Sequence, residues 1–418
     1  MTAIAERIIG AIAGRRVQPG EIATVDVDRI MAHDGSGPVI ARTLRAHGIE
    51  RLEGADRAIF VFDHYYPPAG VREAELQGLA REFAGRHGIP VLAGAGIAHQ
   101  VLLERGLVTP GTVLVGADSH TCMMGAVGAF AMGLGATDVA AVLATGQVWL
   151  EVPRTLKSCL SGALQPDVAS QDLVLHLLAA VGCDGALGMA IEYCGPALGA
   201  LGMSDRMKLT NHAVEMGAVA GIIGVDDRCA TWLRERGAGL AAVARAPLDE
   251  VGDDADITIE LAEVEAVAAL PSRPDRATRL AEIPAVDVDQ VFIGSCAGGR
   301  LDDLRAAADV LRGRAVAERV RLVIGPASSE VYRDAMADGT LASLSQSGAV
   351  ILPPGCGACM GRLATLSDGE VSVSTQNRNF TGRAGAAGSR LYLASARTAA
   401  RAALSGRVGT GPSEGEQC

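Results

Sequence analysis

The chain has 418 residues, 49% of them hydrophobic and only 3% aromatic, with 52 glycines. That length suggests two or three domains, and the composition fits a large α/β enzyme built on small aliphatic side chains. A net charge of −11 and a pI near 5.3 argue against a general nucleic-acid or anionic-membrane partner.

Nine cysteines, an odd number, and the lack of a signal sequence suggest a reducing, cytoplasmic setting. Residues 3–13 read as an amphipathic helix ending at Gly14. Val25 to Met31 leads into Ala32-His33-Asp34-Gly35-Ser36-Gly37-Pro38. Ala58 to Phe62 reads as a strand running straight into Asp63-His64, and Thr112 to Val115 as another, ending at Gly116-Ala117-Asp118-Ser119-His120-Thr121. The most apolar window, Ala126 to Leu150, contains Asp138, Gln147 and several glycines, so it reads as core and not as a membrane span. Asn211 and Glu215 lie four apart and would share a helix face. Pro271, Pro274 and Pro284 punctuate a charged stretch with the character of a domain linker. Val291 to Ile293 and Val350 to Leu352 read as buried strands, each followed by a cysteine loop, Gly294-Ser295-Cys296 and Cys356-Gly357-Ala358-Cys359. Residues 405–418 are polar and glycine-rich, the pattern of a loose tail. No internal repeat is visible.

The CxxC at Cys356 and Cys359 fits half a zinc site, a redox pair or two buried thiols. A four-cysteine zinc site needs a second CxxC, and the chain has none; a ferredoxin cluster needs a denser run. Three cysteines suit an iron–sulfur cluster with one iron left open, which acts as a Lewis acid. The polar candidates sit just after strand ends, the edge at which open α/β sheets bind ligands. Taken singly, each has a bland reading: a satisfied structural histidine, a solvated helix face for Asn211 and Glu215, a surface turn for Arg378 and Arg383. Together, Asp–His pairs and two arginines able to clamp carboxylates suit proton transfer on a small polycarboxylate.

With these motifs in order, the chain resembles the aconitase superfamily, and within it the large subunits of 3-isopropylmalate dehydratases and homoaconitases. The resemblance covers roughly residues 4–405. It rests on AHDGSGP at 32–38, FDHYYPP at 62–68, GAGIAHQ at 94–100, GADSHT at 116–121, the Asn211/Glu215 segment, GSC at 294–296, PGCGAC at 354–359 and NRNFTGR at 377–383. It implies three α/β domains around a central cleft, over residues 1–160, 161–270 and 271–418, without the fourth, swivelling domain of aconitases. It implies dehydration and rehydration of a 2-hydroxy di- or tricarboxylate. Cys296, Cys356 and Cys359 match the ligands of a [4Fe–4S] cluster with one open iron. His64, paired with Asp63, matches the residue that protonates the leaving hydroxide. His99, Asp118, His120 and Glu215 match a polar network around it, and Ser119 lies in the same motif. Asn211 and Asn377 match partners of the cluster, Arg378 and Arg383 the substrate arginines, and His33 a substrate-facing wall of the first domain.

The departures are local. Ala297 and Gly298 stand where relatives usually carry Thr-Asn, Met123 and Met124 follow Cys122, and Thr210 precedes Asn211. They bear on which C2-substituted malate is used. The family's base serine lies in a Gly-Ser-Ser-Arg loop. Here Ser328-Ser329-Glu330 lacks the arginine and Gly388-Ser389-Arg390 has a single serine. The resemblance therefore implies a separate small subunit supplying the base and a further arginine, with no nucleic-acid or membrane partner. Two rivals from other classes are weaker. An electron-transfer protein needs four cluster ligands and no clamps, and an RNA-binding regulator sits badly with the acidic balance.

Overall fold

The computed structural model describes residues 2–238 and 255–410. The chain divides into two compact units, one of residues 1–93, 98–163 and 184–260, the other of residues 94–97, 164–183 and 261–418.

In the first unit the strands are β1 (Ile22–Asp26), β2 (Arg29–His33), β3 (Ala58–Phe62), β4 (Val91–Ala93), β5 (Val113–Gly116), β6 (Phe130–Gly133), β7 (Gln147–Glu151), β8 (Thr155–Ser161), β9 (Ala190–Cys194), β10 (Ala220–Ile223) and β11 (Ile257–Glu260). Five of them form a parallel sheet in the order β4-β3-β2-β5-β6. β3 reads Ala-Ile-Phe-Val-Phe and is buried at every position, as a parallel strand covered on both faces must be. A four-stranded parallel sheet follows, ordered β10-β9-β8-β11, while β1 and β7 pair antiparallel. The core joins Ile30, Phe60, Phe62, Val115 and Phe130.

The second unit holds β12 (Val267–Ala269), β13 (Ala277–Arg279), β14 (Val286–Asp287), β15 (Gln290–Ile293), β16 (Arg321–Ile324), β17 (Val350–Ile351), β18 (Val371–Ser374), β19 (Arg390–Ala394) and β20 (Arg407–Val408). Its seven-stranded sheet has the order β13-β12-β19-β18-β15-β16-β17. β19 to β17 run parallel, and β12 and β13 close one edge antiparallel. Residues 94–97 are stitched into this unit: Ile97 N–H donates to Ala327 O at 2.8 Å and Ser329 N–H to Ala95 O at 2.8 Å. The contact needs Gly96, whose φ is +115° and whose added Cβ would overlap Ser328.

The first helix, Ile4–Ala13, ends at Gly14 in the left-handed conformation, where its carbonyls are capped. Other expectations are revised. The stretch from Pro271 to Pro284, expected as a linker, contains β13, the edge strand of the seven-stranded sheet, paired antiparallel with the fully buried β12 that precedes it. The expected tail from residue 405 begins with the β20 strand, and residues 411–418 lie outside the described residues. The five- and four-stranded sheets lie in one compact unit and the seven-stranded sheet in the other. Cys159 on β8 and Cys194 on β9 are directly paired in register and joined by a disulfide, which a reducing setting does not foretell. Among the described residues no helix is long and apolar enough to cross a membrane.

The segment Ser119–Val127, which carries candidate site residues, packs its Gly125 directly on β10, and an added Cβ would overlap the Gly221 carbonyl. Backbone cannot yield as a flexible side chain does, so Gly125→Ala is expected to cost about 1–3 kcal/mol. Thermal unfolding measures it, and a midpoint equal to that of the parent would show that the segment does not press on β10.

Candidate active site

β2, β3 and β5 are parallel neighbours, so their carboxyl ends share one edge of the sheet. That edge carries His33 and Asp34 after β2, Asp63 and His64 after β3, and Asp118 to His120 after β5. The helix Ala98–Glu104, following β4, adds His99.

These residues form one buried network. His64 Nδ1 lies 2.6 Å from Asp63 Oδ1, and its Nε2 lies 3.3 Å from Asp118 Oδ2. The other Asp63 oxygen accepts from Ala98 N–H at 2.8 Å. Asp118 Oδ1 meets His99 Nε2 at 2.9 Å and accepts from His120 N–H at 2.8 Å. His120 Nε2 meets Glu215 Oε1 at 2.9 Å. Asp34 accepts from the N–H groups of His64 and Tyr65 at 3.0 Å each and from Gln77 Nε2 at 3.0 Å, which ties the β2 loop to the β3 loop. The ligand atoms of His33, Asp34, Asp63 and His64 converge within 4.8 Å. Each of these side chains also has a hydrogen-bond partner within the fold.

Charge is distributed unevenly across it. Burial opposes the His64 imidazolium, yet the Asp63 charge and hydrogen bonds to Asp118 and Asp63 prevail and hold its pKa well above the ordinary histidine value. Burial likewise pushes the Asp118 carboxyl up, but His99, His120 and His64 carry it well below the usual range. Asp63 is lowered against burial by the His64 charge and hydrogen bond. Asp34 is raised by burial and by the Asp63 charge.

Glu215 and Asn211 do not share a helix face. The helix Met203–Asn211 ends at Asn211, and Glu215 sits in the 3₁₀ turn His212–Met216. Both are buried, so the solvated-face reading falls. Ser119 is half-buried, and its hydroxyl makes no hydrogen bond among the described residues. Two of the sequence departures meet each other: Thr210 Oγ1 donates to Met123 O at 2.9 Å, and Asn211 Nδ2 donates to Met123 Sδ at 3.4 Å.

In the second unit, β18, β15, β16 and β17 are parallel and adjacent in that order. Cys296 follows β15, Cys356 and Cys359 follow β17, and Asn377, Arg378 and Arg383 follow β18, so all six leave the carboxyl edge of one sheet. The three cysteines are buried free thiols, and Cys356 and Cys359 pack with Phe292 of β15 and Val323 of β16. Cys296 Sγ lies 3.5 Å from Asn377 Oδ1, and Arg383 Nη2 lies 3.5 Å from Cys359 Sγ. A guanidinium beside sulfur favours the thiolate, the form that binds metal. Arg378 is half-buried.

Sequence reading missed three supports of this edge. Ser295 sits at φ +74° although it is not glycine, a conformation kept where the surroundings over-determine it. Arg300, 2% exposed, donates to Cys296 O at 2.6 Å and Ala297 O at 3.2 Å, fixing the carbonyls around a cysteine. Gly298 rests on Thr375 with no room for a Cβ, and Thr375 Oγ1 accepts from Gly294 N–H at 2.9 Å. The run Gly298-Gly299-Arg300 was the available signal for close backbone approach beside a buried cation.

Residues 6–406 match the family described as aconitase family (aconitate hydratase). The chain belongs to the aconitase family. It is 42% identical to the 3-isopropylmalate dehydratase large subunit 1 of Methanopyrus kandleri over 97% of either chain. It is 40% identical to a probable methanogen homoaconitase large subunit of Methanothermobacter thermautotrophicus over 96% of either. Among solved structures, the aconitase X of Thermococcus kodakaraensis in its holo-form superposes with a TM-score of 0.50 at 12% identity, covering 90% of both chains, a likeness of fold.

Aconitase-family membership leaves the protonation of His64 to this chain's own network, which allows a direct test. Its folded pKa is raised, so its contribution to stability is complete below the unfolded value of about 6.5 and is lost as pH rises through the folded value. Histidine-labelled ¹⁵N spectra are expected to show His64 titrating above about 6.5. Asp63→Asn removes the facing carboxylate and is expected to lower that midpoint by about one unit or more. A midpoint unmoved by the substitution would mean that Asp63 does not hold the proton on His64.

Proposed function

We propose that this chain is the large subunit of a hydro-lyase that dehydrates a 2-hydroxy di- or tricarboxylate and rehydrates it with the hydroxyl on the neighbouring carbon. 2-Isopropylmalate, giving 3-isopropylmalate on the route to leucine, is the substrate of first choice. The observation that carries this is the Asp118-centred network, which sets His64 between two carboxylates on a buried sheet edge, where those carboxylates favour its charged form. A general acid poised in that way suits protonation of a leaving hydroxyl. Relatives named as 3-isopropylmalate dehydratase large subunits support the substrate class. Homocitrate is the second reading. It is favoured by the near-equal identity to a homoaconitase relative.

Cys296, Cys356 and Cys359 fit a [4Fe–4S] cluster with one open iron: three buried free thiols leave one sheet edge, with a cation against one sulfur. When bound, such a cluster supplies Lewis acidity at an oxygen of the substrate. Around it, Asn377 orients Cys296, and Arg378 and Arg383 clamp carboxylates. His99, His120 and Glu215 relay charge to Asp118 and fix its orientation. Asn211 stands behind the 119–127 segment, and Ser119 belongs to the pocket lining.

The base comes from elsewhere. Ser328 Oγ accepts from Val331 N–H at 3.1 Å as a helix cap, and Ser389 Oγ donates to Ala386 O at 2.7 Å. Of the three serines named from the sequence, Ser328 and Ser389 hold local structure in this way, and Ser329 opens the helix Ser329–Ala337 beside a glutamate where the family motif has its arginine. A separate small subunit then brings the serine base and a further arginine, in a cytoplasmic assembly whose large chain has one domain per main sheet.

Purified, cluster-loaded chain is expected to turn over nothing alone and to gain activity with the small subunit in a screen of 2-isopropylmalate, homocitrate, citramalate and dimethylmalate. Turnover without any partner would place the base in this chain and end the two-subunit reading. Arg383→Lys keeps charge but loses the fork, so KM is expected to rise about 10- to 100-fold at unchanged iron content. An unaltered KM would remove Arg383 from substrate binding.

A further inference from the structure

His33 was expected at the substrate-facing wall, but neither ring nitrogen is available to a substrate. Its Nδ1 accepts from Gly35 N–H at 3.1 Å, so that nitrogen carries no proton. Its Nε2 lies 3.1 Å from Ala117 O, a carbonyl that can only accept, so Nε2 bears the hydrogen. Both contacts together admit one tautomer and no imidazolium, because a proton on Nδ1 would face the Gly35 N–H. The ring lies flat on His64, with centroids 3.7 Å apart and planes 12° from parallel.

The whole AHDGSGP loop serves this placement. Ser36 Oγ accepts from His33 N–H at 3.0 Å. A Cβ on Gly35 would lie 3.0 Å from the His33 ring and 3.3 Å from Tyr65, so glycine lets the turn close over the imidazole without displacing it. Asp34 fastens the next loop through His64 N–H and Tyr65 N–H. A neutral, electron-rich ring stacked on a protonated one is attractive, where two cations would repel. The charge pattern agrees: burial first, then the His64 charge, bring the His33 pKa down to about 4, with Asp63 and Asp118 opposing and His99 assisting.

We propose that His33 is a positioning residue, not a substrate ligand: its neutral ring, locked as the Nε2–H tautomer by the backbone at Gly35 and Ala117, backs His64 and holds it in line between Asp63 and Asp118. This rests on the dehydratase reading for its catalytic consequence and on geometry alone for its structural one. The groups facing His64 are His33 and Asp34 from the β2 loop, Asp63 beside it, His99 from the helix after β4, and Asp118 from the β5 loop.

The test compares His33→Ala, which removes the ring, with His33→Phe, which keeps a stacking face but no nitrogen. Both are made in the full chain, loaded with cluster and joined to the small subunit, and assayed on 2-isopropylmalate and homocitrate. Positioning predicts that His33→Ala lowers kcat about 10- to 100-fold with KM within about twofold, as a misaligned acid does, while His33→Phe recovers most of the loss. Histidine ¹⁵N titration of the same full-length variants reads His64 without turnover, and the His64 midpoint is expected to shift in His33→Ala and return toward the parent in His33→Phe. A rise in KM at constant kcat in both variants, or a His64 titration untouched by His33→Ala, overturns the proposal. If the parent is inactive on every hydroxy acid, the dehydratase reading fails, and the titration still decides whether His33 positions His64.

Discussion

Asp118 is the point on which three histidines depend. One oxygen takes His99 and the backbone of His120, the other takes His64. A carboxylate this buried is unstable on its own, since desolvation opposes its charge. It survives because donors meet both of its oxygens. The reverse also holds: without that negative charge, the protonated His64 beside Asp63 would lack its second partner. Neither member of the set has a reason to be charged in isolation, so the network stands or falls as a unit, and its pairwise contributions are not additive.

The network could be assembled from short loops because the sheet is parallel. β2, β3 and β5 deliver their carboxyl ends side by side, and β15 to β18 do the same for the cysteines and arginines of the second unit. Asp63 and His64 directly follow β3 and Asp118 lies just beyond β5, while Cys359 and Arg383 sit in longer loops after β17 and β18. Rigid strand ends hold the side chains more precisely than long excursions would, and little conformational entropy is spent on them.

This explains which parts were legible in the amino-acid order. Ala58 to Phe62 is a continuous apolar run stopping at Asp63, so its end, and the chemistry on it, could be read directly. The same holds for Val113 to Gly116 before Asp118. The partner of a charged residue is a different matter. Glu215 lies 95 residues from His120, and only the packing of the 3₁₀ turn against the 119–127 segment brings them together. Spacing of four suggested a shared helix face for Asn211 and Glu215, but the helix stops between them. Nothing local reveals that the Arg300 guanidinium turns back onto the carbonyls of Cys296 and Ala297. Cys159 and Cys194 were two unremarkable thiols until the register of β8 on β9 placed them opposite one another. In each case the missing information was tertiary.

The chain path of the second unit has a consequence for biosynthesis. Its pieces at residues 94–97 and 164–183 leave the ribosome well before residues 261–418. The helix Ser170–Val181 must then wait for β12, whose Val267 N–H donates to Asp172 Oδ1 at 3.3 Å. N-terminal portions of a growing chain ordinarily fold as they emerge. Here the first unit can begin to do so, while the second waits for β12 to β20, and nascent chains stalled short of β12 lack the strand that meets the helix Ser170–Val181.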